Sequence, residues 1–137
     1  KLKKLGYFIE VFTNSTLVPP LGLFSMVDCW IVDIKCPSSA TCTKSRVGDW
    51  MIRARPQDVV KFVVANECDF DYALSIVDTY QPEAPVSISP CITTDLLSTP
   101  SESDRQWLQD VWMFCVENNL HYGLQIHKVV FGNRKGI

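Results

Sequence analysis

The chain has 137 residues, one domain's worth, and with 47% hydrophobic residues it can bury a sizeable core. Its 13 Lys and Arg nearly balance 15 Asp and Glu, so it carries no cationic stripe suited to nucleic acid. No apolar run reaches the length of a membrane span, so neither nucleic acid nor a bilayer is an expected partner.

In chain order, "YFIEVFT" (7–13) reads as a strand closed by the turn formers Asn14-Ser15-Thr16. "CWIVDIK" (29–35) is a second strand, apolar on both faces, as in a parallel sheet covered by helices. "VVKFVVA" (59–65) is a third, followed by a helix over 69–80 opened by Asp69. "PVSIS" (85–89) is a fourth. Thr99-Pro100-Ser101-Glu102 then reads as an N-cap, a first-turn proline and a capping-box acid. It opens a helix through about Asn119, with Leu108, Val111, Trp112, Cys115 and Val116 on one face. "YGLQIHKVVF" (122–131) is expected to be the last strand.

Strands alternating with helices predict an α/β fold of repeating β/α units with a parallel sheet. In such folds ligands collect at the carboxyl ends of the strands. Those ends carry Asn14-Ser15-Thr16, Lys35 to Ser39, Asn66-Glu67 and Ser89-Pro90, with Gln125 and His127 in the last strand. Any one polar corner is ordinary loop chemistry; their joint occurrence points to a polar ligand.

Cysteines at 29, 36, 42, 68, 91 and 115 have spacings that match neither a zinc pair nor a tight disulfide framework. Most stand in or beside apolar runs. Free thiols in a reducing, cytoplasmic setting are therefore expected. The chain opens on Lys1 and not on Met, so a further part is expected to precede it, and no basic-then-apolar leader of a secretory signal opens the residues given.

"VDIKCPSS" (32–39) resembles the D-x-K-C-P-S-S segment of 7-carboxy-7-deazaguanine synthases, in the radical S-adenosylmethionine superfamily. In the same order, "FTNST" (12–16) is similar to that family's E-T-N-G-T corner, "VVKFVV" (59–64) to its D-V-K-F-V strand, and "GLQIHKVVFGNRKGI" (123–137) to its L-Q-x-H-K tail. The resemblance implies a single domain over 1–137, the carboxyl-terminal portion of an incomplete TIM-like barrel. For the whole parent it implies a carbon–nitrogen lyase that contracts 6-carboxytetrahydropterin to 7-carboxy-7-deazaguanine in queuosine-type biosynthesis. S-adenosyl-L-methionine, a [4Fe–4S] cluster and Mg2+ would be the cofactors, with the pterin as small-molecule partner and a homodimer as the assembly. Two features depart from the family: Phe12 and Ser15 stand for its Glu and Gly, and no C-x3-C-x2-C triplet is present. The cluster ligands would lie upstream, and this chain alone is expected to be inactive.

By resemblance, Asn14, Lys35, Ser38 and Ser39 would approach the cofactor. Gln125, His127 and the terminal Ile137 would approach the substrate, with Arg134 and Lys135 beside it. Plainer readings stand next to these. Lys35 can pair with Asp33, two positions away on the same strand face, above an ordinary Pro-Ser turn. Asn14 can be a turn residue, and a histidine in an apolar strand is often a satisfied core group. His121 is expected to be solvent-exposed. Gln125 and His127, two apart on one strand, would share a face. The alternative for the whole chain is a non-enzymatic or diverged β/α small-molecule-binding module.

Overall fold

Runs of β-branched and aromatic residues between turn formers become strands where helices can cover a face of them. In the computed structural model, which describes residues 1–92 and 101–132, five such strands form an all-parallel sheet in the order β1-β2-β3-β4-β5. The strands are β1 (Glu10–Thr13), β2 (Cys29–Lys35), β3 (Val59–Val64), β4 (Val86–Pro90) and β5 (His121–Tyr122). Between them run α1 (Leu21–Phe24), α2 (Val47–Arg53), α3 (Glu67–Tyr80) and α4 (Glu102–Glu117), and α5 (Ile126–Phe131) follows β5. The expected α/β class and β/α repeat are present. The sheet is open, as part of a barrel would be.

Burial alternates strictly along β3, which sends Val60, Phe62 and Val64 toward the helices and Lys61 and Val63 to the opposite face. On the helix side Val32, Ile34, Val60, Phe62, Val64 and Ile88 are fully buried against Trp50, Ala73 and Val111. Trp30 stacks on Phe24 with ring centres 5.6 Å apart and meets Trp50 at 5.4 Å. One carboxylate is built into this layer. Asp58 accepts from the Trp30 backbone N–H at 2.9 Å, from that of Arg55 at 2.8 Å, and from the Arg55 guanidinium at 2.8 and 2.9 Å. Burial pushes its carboxyl up, but the Arg55 side chain and the two N–H groups outweigh that and hold it below the usual range.

Several boundaries differ from expectation. β1 starts at Glu10, not Tyr7. α3 opens at Glu67, because Asn66 is the N-cap and its side chain accepts from the Asp69 N–H at 3.2 Å. Ser101, not Thr99, caps α4 and forms a capping box with Asp104; Thr99 and Pro100 fall outside the described residues. α4 ends at Glu117, one residue before its C-cap Asn118. Val111 and Cys115 are buried on it, whereas Trp112 and Val116 are 54% and 61% exposed, so the predicted apolar face is only partly the packed one.

The largest correction concerns 122–131, of which only Tyr122 belongs to a strand. Pairing stops at Tyr122 opposite Ile88, and the Gly123 N–H makes a last bond to the Ile88 carbonyl at 2.8 Å. The Gln125 carbonyl then accepts from the N–H groups of Lys128 and Val129, turning the chain into α5. The Lys128 ammonium fixes that turn against the segment that follows β4 by donating to the Ile92 carbonyl at 2.6 Å. Gln125 and His127 therefore do not share a strand face.

Candidate functional site

The carboxyl ends of β2, β3 and β4 open into a cavity of about 400 Å³. Asp33, Lys35, Ser39, Cys91 and Gln125 contribute its polar lining, with Val63 and Ala65 at its wall. The strand run "VDIK" accounts for the placement of two of these groups. With Val32 and Ile34 in the core, Asp33 and Lys35 must both face away from the helices. They pair there, the Lys35 ammonium donating to Asp33 Oδ2 at 2.6 Å. Both side chains remain about a quarter to a third exposed, at 26% and 30%. The other carboxylate oxygen, Asp33 Oδ1, is buried with no hydrogen-bond partner. Pairing and cavity lining, read from the sequence as rivals, therefore coexist.

The loop after β2 is held by a residue that sequence reasoning took only as a helix opener. Asp69 is fully buried. It accepts from the Ser38 N–H at 3.1 Å, the Ser38 hydroxyl at 2.5 Å and the Ala65 N–H at 2.8 Å. Ser38 borders the cavity, but its proton is committed to Asp69, so toward a ligand it offers only an oxygen. Ser39 borders the cavity too and shares a hydrogen bond with the Thr41 hydroxyl at 3.0 Å. Cys36 lies at the cavity edge with its thiol pushed up to about 12, first by burial and then by the Asp69 charge. It stays protonated near neutral pH and is no nucleophile.

Other predicted positions fall elsewhere. Asn14 is exposed, and its side-chain carbonyl accepts from the Thr16 hydroxyl at 2.8 Å and the Thr16 N–H at 3.3 Å, the turn role. Ser15 sits at φ 60°, a left-handed conformation that suits the glycine of the similar family. Its buried hydroxyl bonds the Asn14 and Asp33 carbonyls and the Ser45 hydroxyl. Phe12 is 72% exposed. His127 is exposed on α5 and does not line the cavity, and His121 is exposed on β5. Arg134, Lys135 and Ile137 lie outside the described residues. Asp33 lines the cavity with Lys35, as their shared strand face implies, and Cys91 lines it too. The period-2 pairing of Asp33 with Lys35 was the signal for Asp33, and Cys91 gave none.

All six cysteines are free, with Cys29, Cys36 and Cys115 buried and Cys68 exposed. Among the described residues, no three His, Cys, Asp or Glu side chains gather as metal ligands. These residues therefore do not offer the three gathered thiolates that a [4Fe–4S] cluster needs. No helix of the described residues is long and apolar enough to cross a membrane.

No family model matches the chain. Among curated proteins it is similar to the 7-carboxy-7-deazaguanine synthase of Methanospirillum hungatei, 29% identical over 132 residues that cover 95% of this chain and 49% of that protein. It is 30% identical over 138 residues to that of Koribacter versatilis, covering 96% of this chain and 59% of that protein. To that of Thermoplasma acidophilum it is 27% identical over 133 residues, covering 97% and 58%. The resemblance carried by the four motifs thus extends along nearly the whole chain, which spans about half the length of these relatives.

Proposed function

We propose that this chain is the carboxyl-terminal portion of a 7-carboxy-7-deazaguanine synthase-like protein, and that its cavity holds S-adenosyl-L-methionine. The observation carrying this reading is the meeting of Asp33, Lys35, Ser39 and Gln125, from two of the motif segments, around one cavity at the strand ends. An ammonium beside a carboxylate with a free oxygen suits a ligand that itself bears a carboxylate and an amino group. Lys35 would take the carboxylate, Asp33 Oδ1 the amino group, and Ser39 and the Ser38 oxygen the ribose hydroxyls. Asn14 joins the cofactor side only through the resemblance.

For the whole parent, the reading is conversion of 6-carboxytetrahydropterin to 7-carboxy-7-deazaguanine with loss of ammonia, in a reducing, cytoplasmic setting and as a homodimer. S-adenosylmethionine supplies the radical that starts such chemistry when it is bound to a reduced cluster. The residues here hold no cluster, so none of those steps is assigned to them. Gln125 would orient the pterin from the cavity rim, and His127 and Ile137 belong to the substrate side by resemblance alone. Mg2+ likewise enters by resemblance alone.

A second reading is favoured by Phe12, which places an exposed ring where the similar family has an acid. Under it the chain is a diverged, non-enzymatic binding module. Assay of the parent protein, with whatever residues its gene encodes before Lys1, separates the two. Formation of 7-carboxy-7-deazaguanine from the pterin, dependent on S-adenosylmethionine and reductant, supports the enzyme. A well-folded parent that binds S-adenosylmethionine and forms no product supports the module.

A further inference from the structure

The face of the sheet turned away from the helices carries a row of polar side chains. The register places Asp33 beside Lys61, Lys61 beside Ser87, and Ser87 beside His121, one residue from each of four adjacent strands. The next row toward the carboxyl ends is Lys35, Val63 and Ser89. Parallel sheets are ordinarily apolar on both faces, and barrel interiors are filled by bulky branched side chains. Here the central position of the sheet is a half-buried lysine, and among the described residues Lys61 makes no ion pair. Its ammonium makes no hydrogen bond among them and is not buried, so on this face it is accessible to a ligand. Two further polar atoms on this face lack partners: Asp33 Oδ1, and the hydroxyl of Ser89, which is fully buried.

We propose that Lys61 is the anion-recognising residue of the substrate site, with Ser87 beside it on the sheet floor. Adjacent strands lie about 4.8 Å apart, so the row from Asp33 to Ser87 spans about 10 Å. That matches a planar two-ring heterocycle lying across three strands. A cation beside a hydroxyl selects a ring that bears one carboxylate and a further polar edge. Ordinary barrel packing would require none of this charge. The inference rests on the reading above only for the identity of the heterocycle.

The test is a fluorescence titration of the intact chain with 6-carboxypterin and with unsubstituted pterin, alongside equilibrium dialysis with S-adenosylmethionine. The wild-type chain should bind the carboxylated ring at least about tenfold more tightly, as one charge-assisted hydrogen bond provides. Lys61→Met should bring the two affinities to within about twofold, and Lys61→Arg should retain most of the preference. Lys61→Gln serves in the same way should the methionine variant fail to fold. No preference in the wild type, or a preference that survives loss of the charge, overturns the proposal. S-adenosylmethionine binding without carboxylate preference would sink this inference and leave the function reading standing. A Lys61-dependent preference without S-adenosylmethionine binding would do the reverse.

Discussion

Ser38 and Asp69, 31 residues apart, are joined twice: the serine's hydroxyl and its backbone N–H each donate to one carboxylate oxygen of the buried aspartate. Because Asp69 also takes the Ala65 N–H, one side chain ties the loop after β2 to the end of β3 and sets the width of the cavity between them.

Asp69→Ala should therefore cost stability and cavity shape together. Three donors lose a buried acceptor, a loss of roughly 3 kcal/mol or more. Ser38→Ala removes one of the bonds and should cost about 1 kcal/mol. Urea denaturation of both single variants and the double variant should show strong coupling, the double costing little more than Asp69→Ala.

Asp58 should make the fold acid-sensitive. Its folded-state carboxyl is held below the usual range by Arg55 and by two backbone N–H groups, against the opposing effect of burial. A depressed carboxyl contributes stability that is fully present above its unfolded value and is lost as pH falls through the folded one. The melting temperature of the wild type should thus fall between about pH 5 and pH 2. Asp58→Asn should start lower at pH 7 and decline less steeply over that window.

Gly123 is required by a close approach. A Cβ there would lie 2.5 Å from the Ser87 hydroxyl oxygen and 2.6 Å from that of Ser89. Gly123→Ala should cost about 1–3 kcal/mol as overpacking. Ser89→Ala should be close to neutral, because its buried hydroxyl has no partner to lose. Combined with Gly123→Ala it should recover part of the loss, with thermal melts as the readout.

Thiol labelling should follow burial. Under native conditions near pH 8, Cys68 should react first, and Cys29, Cys36 and Cys115 last. The Cys36 and Cys115 thiols are pushed up to about 12 and about 11 by burial. In denaturant without reductant all six should alkylate. Disulfide-linked peptides in the digest would contradict the reducing setting.

β2, β3 and β4 were legible to within a residue because each is a continuous apolar run between turn formers, as in "CWIVDIK". The run 122–131 was not. A short apolar stretch has no period that separates strand from helix. What decides it is the end of pairing at Tyr122 and the anchoring of Lys128 on the Ile92 carbonyl. The cavity was half legible. Asp33 and Lys35 follow from period-2 alternation, whereas Cys91 enters through strand order, and Asp69 acts from behind the lining through its contact with Ser38 across 31 residues. Neither is a local property of the sequence. Gln125 reaches the cavity by a different route from the one its motif suggested, as the residue before α5 and not as part of a strand.

The most direct measurement is equilibrium dialysis of the intact chain against radiolabelled S-adenosyl-L-methionine, with Lys35→Met in parallel. The cavity assignment predicts saturable binding at one site per chain, weakened about tenfold or more when the Lys35 charge is removed, while the melting temperature stays nearly constant. Absence of saturable binding by the folded wild-type chain, or binding of equal strength in Lys35→Met, would contradict it.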